Sequence, residues 1–127
     1  MKRSPVGDYA RIAHIRDAIK AISKYTEHSK DTFFKNTMLQ DAICRQLEIV
    51  GEAASKVSAE TRKTLLGVPW KELIENRNFL THVYFKASLP KIRDSATNLL
   101  PKAEAALNKH KAAIALLARR AKESGRE

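Results

Sequence analysis

Residues 38–57 read MLQDAICRQLEIVGEAASKV. Met38, Leu39, Ala42, Ile43, Leu47, Val50, Ala53, Ala54 and Val57 recur at steps of one, three and four, which places them on one broad stripe of a helix turning about 100° per residue. An alternating strand would scatter the same residues over both faces. The stretch therefore predicts a helix of about twenty residues with one face in a core.

Working towards the N-terminus, Ile12, Ile15, Ile19 and Ile22 make a narrower stripe between Asp8 and about His28, with Asp8 in place as an N-cap. The break around HSKDTFFKN is short, so these two helices are expected to run antiparallel. Towards the C-terminus, Gly67 and Pro69 punctuate the chain. Trp70 then opens a shorter helix in which Leu73, Ile74 and Leu80 face inward. Pro90 and Pro101 bound a helix from roughly Leu89 to Leu100, and the last helix runs from Pro101 to about Lys122. No useful strand-like alternation, internal repeat or low-complexity segment occurs. The expected fold is all-α, an up-and-down bundle of four to five helices. It occupies one domain over residues 1–123, with a frayed tail at 124–127.

The chain has 127 residues, with 24 basic against 14 acidic side chains. A net charge of +10 and a pI near 10.0 favour polyanionic partners. Residues 86–127 hold 10 of the basic and only 4 of the acidic groups, so the last helix is the more basic part. A solubilising surface would look the same. The single cysteine, Cys44, excludes an internal disulfide and a cysteine-built zinc site and suits a reducing compartment. Neither a signal-peptide h-region nor an apolar run of transmembrane length is present, and a cytoplasmic location is expected without membrane contact. His14, His28, His82 and His110 lie far apart, with no paired His/carboxylate spacing of a metal site. No cofactor and no metal are expected.

Arg77, Asn78, His82 and Tyr84 crowd into eight positions at the end of VPWKELIENRNFLTHVYF, residues 68–85. Each has an ordinary reading: an arginine paired with Glu72, Glu75 or a helix end, a capping amide, a surface histidine, a half-buried phenol. On a helix, Arg77, Thr81 and Tyr84 lie near one line, and Asn78 and His82 near a second. Arg77 and His82 are thus roughly 140° apart. A joint site needs either a helix that breaks near Leu80 or a second copy of the chain.

The set Arg77-Asn78-Phe79-Leu80-Thr81-His82-Val83-Tyr84 resembles the signature of the HEPN superfamily, and within it the HepT-like toxins of toxin–antitoxin pairs. LEIVGEAASKVS at 47–58 is similar to the family's second-helix segment, with its Gly-Glu-Ala triplet, and VPWKELIENRN to its approach to the signature. The similarity covers roughly residues 8–107.

What the resemblance implies is metal-independent RNA cleavage by a homodimer whose paired signatures face one cleft, and the residue types suit that reaction. RNA carries its own nucleophile, the 2′-hydroxyl. His82 is the proton-transfer group, Arg77 the phosphate ligand, and Asn78 an orienting or phosphate-donating amide. Thr81 and Lys86 join them as substrate-binding candidates, and the basic last helix as a phosphate track. The RNA, tRNA or mRNA, is left open. A phenol with pKa near 10 is a poor base at neutral pH, so Tyr84 needs another role. The family implies that a minimal nucleotidyltransferase antitoxin transfers AMP to it. Two other readings stand beside this one: a non-catalytic adaptor that docks a nucleotidyltransferase, and a general nucleic-acid-binding bundle.

Overall fold

The computed structural model describes residues 7–82 and 88–123. Every regular element among them is helical: α1 (Asp8–Tyr25), α2 (Lys30–Lys35), α3 (Thr37–Lys56), α4 (Ala59–Thr64), α5 (Trp70–His82), α6 (Leu89–Asp94), a π-helical segment (Ser95–Leu99), α7 (Leu100–Asn108) and α8 (Lys111–Glu123). The principal helices are those the periodicity predicts. α2 and α4, six residues each, are additional. No helix among the described residues is long and apolar enough to cross a membrane.

The isoleucine stripe of α1 is buried throughout, and it meets Ile43, Leu47, Val50 and Ala54 of α3 in the core. Fully burying one such side chain stabilises the fold by roughly 1.5–3 kcal/mol, so this antiparallel pair is the spine of the bundle. Met38 departs from the expected stripe, being 83 % exposed. It sits in the first turn of α3, beside the polar side chains of Asp31, Thr32 and Lys35 of α2 on a shallow surface.

Asp8 also departs from expectation. Gly7, with φ 93°, is the N-cap of α1, and Asp8 is the first helical residue, buried against another element. Its Oδ1 accepts from the Ser58 N–H at 3.0 Å and its Oδ2 from the Ser58 hydroxyl at 2.6 Å, while the Thr61 hydroxyl also donates to Oδ2. The carboxylate thus fastens the start of α1 to the start of α4. That contact brings the beginning of α1 to the end of α3, as an antiparallel pair requires. Arg62 closes the same corner by donating to the carbonyls of Ala54, Ser55 and Val57 at 3.0–3.1 Å, which satisfies acceptors that the end of α3 leaves open.

Two predicted boundaries move. Pro101 does not separate two helices: the chain is continuously helical from Leu89 to Asn108, and the Leu100 N–H donates to the Ser95 carbonyl five residues back. The wider π turn just before Pro101 makes room for a ring that would clash with the carbonyl four residues earlier in a regular helix. The actual break comes at Lys109 and His110, where His110 Nε2 donates to the Leu66 carbonyl at 2.7 Å. α8 then docks through Ile114, 3 % exposed, with Leu117 packed partly against the core.

Candidate active site

α5 reaches its position by passing close to α3 at Gly51. A Cβ at Gly51 would stand 2.1 Å from the Arg77 Cβ and 2.9 Å from the Leu73 carbonyl oxygen, so no larger residue fits without moving α5. The glycine of the Gly-Glu-Ala triplet therefore sets the root of the Arg77 side chain against α3. The glutamate of the same triplet holds the other end. Glu52 Oε2 lies 3.3 Å from Arg77 Nη2, and Glu52 Oε1 lies 3.0 Å from Lys56 Nζ. Arg77 Nη1 also donates to Asn78 Oδ1 at 3.4 Å.

The hydrogen bond and charge of Lys56, with the charge of Arg77 behind them, hold the Glu52 carboxyl below the usual carboxylate range. Glu52 is accordingly an anion at neutral pH and orients the guanidinium. Among the described ion pairs Arg77 meets Glu52 and not Glu72 or Glu75, and that of Glu75 is with Lys71. The Glu52–Arg77 contact spans 25 positions, beyond the range of local spacing arguments. The signal for it in the sequence is the Gly51-Glu52-Ala53 triplet itself, which the family resemblance quotes without assigning it a role.

The arginine faces a groove of ≈ 500 Å³ between α1, α3 and α5. Arg11 and His14 of α1 and Arg45 and Lys56 of α3 line it, together with Glu48 and Glu52. None of Arg11, His14, Arg45 and Lys56 stands out in the linear sequence, since only the antiparallel packing of α1 on α3 brings them to Arg77. Cys44 lies on the core side of α3. Burial, with Asp41 and Glu48 adding to it, pushes its thiol up to about 12, and a thiol so protonated is no nucleophile.

Of the two ways to unite Arg77 and His82, the backbone removes one. α5 continues without a break through His82, so the two positions stay roughly 140° apart on one helix. The side chains of Thr81 and His82, and all of Tyr84 and Lys86, lie outside the described residues. Among the described residues, Arg77, Asn78 and Glu52 are brought together. No three His, Cys, Asp or Glu side chains converge on a metal position there.

The family model described as "Ribonuclease HepT-like" matches residues 15–110, which include the Gly-Glu-Ala segment and the whole signature. A protein of Methanocaldococcus jannaschii, named as a gamma-glutamylcyclotransferase and candidate RNase, is 33% identical over 99 residues, 68% of this chain. The match spans only 45% of that longer relative. A protein of Thermococcus cleftensis, named as a probable ribonuclease HepT, is 35% identical over 86 residues, which is 67% of this chain and 76% of that protein. No solved structure gives a significant match.

Proposed function

The chain belongs to the HepT-like ribonuclease family, and from that premise we propose that it cleaves RNA at the Arg77–His82 signature without a metal, as the toxin of a toxin–antitoxin pair. The observation that carries this reading is the guanidinium of Arg77, set by Gly51 and oriented by Glu52 at the mouth of a basic groove on the helix that bears His82. In the reaction, the 2′-oxygen attacks phosphorus as its proton leaves, and the 5′-oxygen departs taking up a proton. The products are a 2′,3′-cyclic phosphate and a 5′-hydroxyl. His82 moves the protons, the role a free imidazole with a pKa of about 6.5 suits at neutral pH, Arg77 meets the charge of the phosphorane, and Asn78 steadies Arg77.

One imidazole cannot readily serve both oxygens, and an unbroken α5 keeps His82 off the flank of Arg77. Both facts favour a two-fold homodimer in which each site takes residues from two copies. Thr81 and Lys86 then line the approach of the RNA. Tyr84, two positions past the histidine, is the acceptor of AMP from a nucleotidyltransferase antitoxin. Its added phosphate would occupy the anion site beside Arg77 and silence cleavage.

The test is incubation of the purified protein with labelled RNA in the presence of a chelator. His82→Ala is expected to lower the rate on the order of 10² or more, and Arg77→Ala similarly, with 2′,3′-cyclic ends on the parent's products. Cleavage indifferent to both substitutions would assign the activity elsewhere. Tyr84→Phe is expected to remain active and to escape neutralisation by a co-expressed nucleotidyltransferase. An unmodified intact mass in a neutralised pair would refute the AMP switch.

A further inference from the structure

The groove beside Arg77 carries charge that cleavage, as proposed above, does not use. Four cations line it against two carboxylates, and one of those carboxylates, Glu52, is already held by Arg77 and Lys56. Arg11 and Arg45 have no ion-pair partner among the described residues. The Nε of Arg11 is buried without a hydrogen-bond partner there. Two guanidinium groups thus remain available in the depression that ends at the candidate catalytic arginine.

The basic last helix, the track expected from charge counting, stands elsewhere. α8 and α7 pack on the side of α1 that presents Ala13, Arg16, Asp17 and Lys20, and a second depression of ≈ 400 Å³ runs there. Arg11 and His14 point into the Arg77 groove instead. At about 100° per residue these two sets occupy nearly opposite flanks of α1. Arg119, Arg120 and Lys122, exposed on α8, therefore lie across α1 from the site.

The lining also indicates what kind of ligand fits. Its described apolar members are Ile49 and Ala53, and no aromatic side chain is among them. A protein partner's hot spot wants an apolar or aromatic core, and stacked bases want aromatic faces. Paired guanidinium forks match phosphate oxygens. We propose that this groove carries the RNA backbone to Arg77, with Arg11 and Arg45 as phosphate ligands that bind without regard to base sequence. The proposal rests on the ribonuclease reading for the identity of the polyanion.

The experiment measures binding of a fluorescently labelled single-stranded RNA bearing 2′-O-methyl groups, which cannot be cleaved, over a salt series. The double variant R11Q/R45Q is expected to bind on the order of tenfold more weakly at 0.1 M salt, and its slope of log K against log salt should fall by about 1.4, roughly 0.7 per lost phosphate contact on a single strand. On cleavable RNA the loss should appear in KM rather than kcat. R45E tests the same point at an exposed position if R11Q disturbs the fold. R119Q/R120Q on α8 is the rival and should shift the slope far less. Unchanged affinity and slope in both groove variants, or a loss carried by the α8 pair instead, would overturn the proposal. So would RNA binding left intact while a protein partner is lost. Groove-dependent binding without any cleavage would sink the ribonuclease reading and leave the phosphate track standing.

Discussion

Asp8 and Glu52 are both carboxylates near the corner where α1 begins and α3 ends, yet they do different work. Asp8 is 1 % exposed and is satisfied by one N–H and two hydroxyls, none of them charged. Glu52 is about half exposed and faces two cations. A buried carboxylate that takes up a backbone N–H and two hydroxyls is a structural staple, because without it the Ser58 N–H loses its acceptor and the two hydroxyls are left only each other. A solvated carboxylate between cations adds little to stability but fixes where a guanidinium points. The difference separates the part of this corner that makes the fold from the part that shapes the candidate site.

The hardest way to break that division is Asp8→Ala. Stranding the Ser58 N–H and one of the two hydroxyls, since the Ser58 hydroxyl can still donate to Thr61 Oγ1, is expected to cost about 3 kcal/mol, seen as a fall in Tm of roughly ten degrees. RNA cleavage by the folded fraction should be preserved. A cost under about 1 kcal/mol would mean that the corner stands without the staple.

Gly51→Ala crosses the boundary between the two roles, since the new methyl meets Arg77 Cβ and the Leu73 carbonyl together. Overpacking of this kind costs about 1–3 kcal/mol, and here it also displaces the arginine. Stability and cleavage should both drop when assayed at a temperature where the variant is folded. Full cleavage by a destabilised protein would show that the placement of Arg77 is not critical.

Glu52→Gln preserves shape and removes charge. Its effect on stability should stay within about 1 kcal/mol. By contrast, kcat should fall severalfold, with no rise in KM, because the groove becomes more basic while Arg77 loses its tether. A variant that loses stability as Asp8→Ala does, at full kcat, would reverse the assignment of the two carboxylates.

The smallest effect is on pH dependence. Because the carboxyl of Glu52 is held below its ordinary value in the fold, its contribution is in place above the usual carboxylate range and is lost as pH falls through the lowered value. The stability difference between the parent and Glu52→Gln should therefore shrink on acidification and be flat near neutrality. A difference that grows towards low pH would contradict the direction of the shift.

Much of this molecule is legible in one dimension. The stripes of α1 and α3 span 18 and 20 residues, long enough for a period of 3.6 to repeat several times. Their length is why the all-helical fold and its antiparallel core pair can be read directly. The signature from Arg77 to Tyr84 is equally visible, as is the 140° that parts Arg77 from His82. α2 and α4, at six residues each, are shorter than two turns and leave no period to detect. Pro101 reads as a boundary because a proline terminates a regular helix; a π turn over Ser95–Leu99, whose Ser95 hydroxyl donates to Asn76 Oδ1 at 3.2 Å, lets the helix continue.

The tertiary structure alone decided the partners. Asp8 looks like a cap to its own helix, and its donors lie 50 and 53 positions away. Arg77 has Glu72 and Glu75 on its own helix, and its described ion pair is with Glu52 across the contact that Gly51 permits. The excess of positive charge on the last helix is plain in the sequence. Which flank of α1 that helix covers depends on how three apolar stripes close around one core, and so does the presence of Arg11 and Arg45 beside Arg77. Local spacing determines which face of a helix a residue occupies; only packing determines what that face meets.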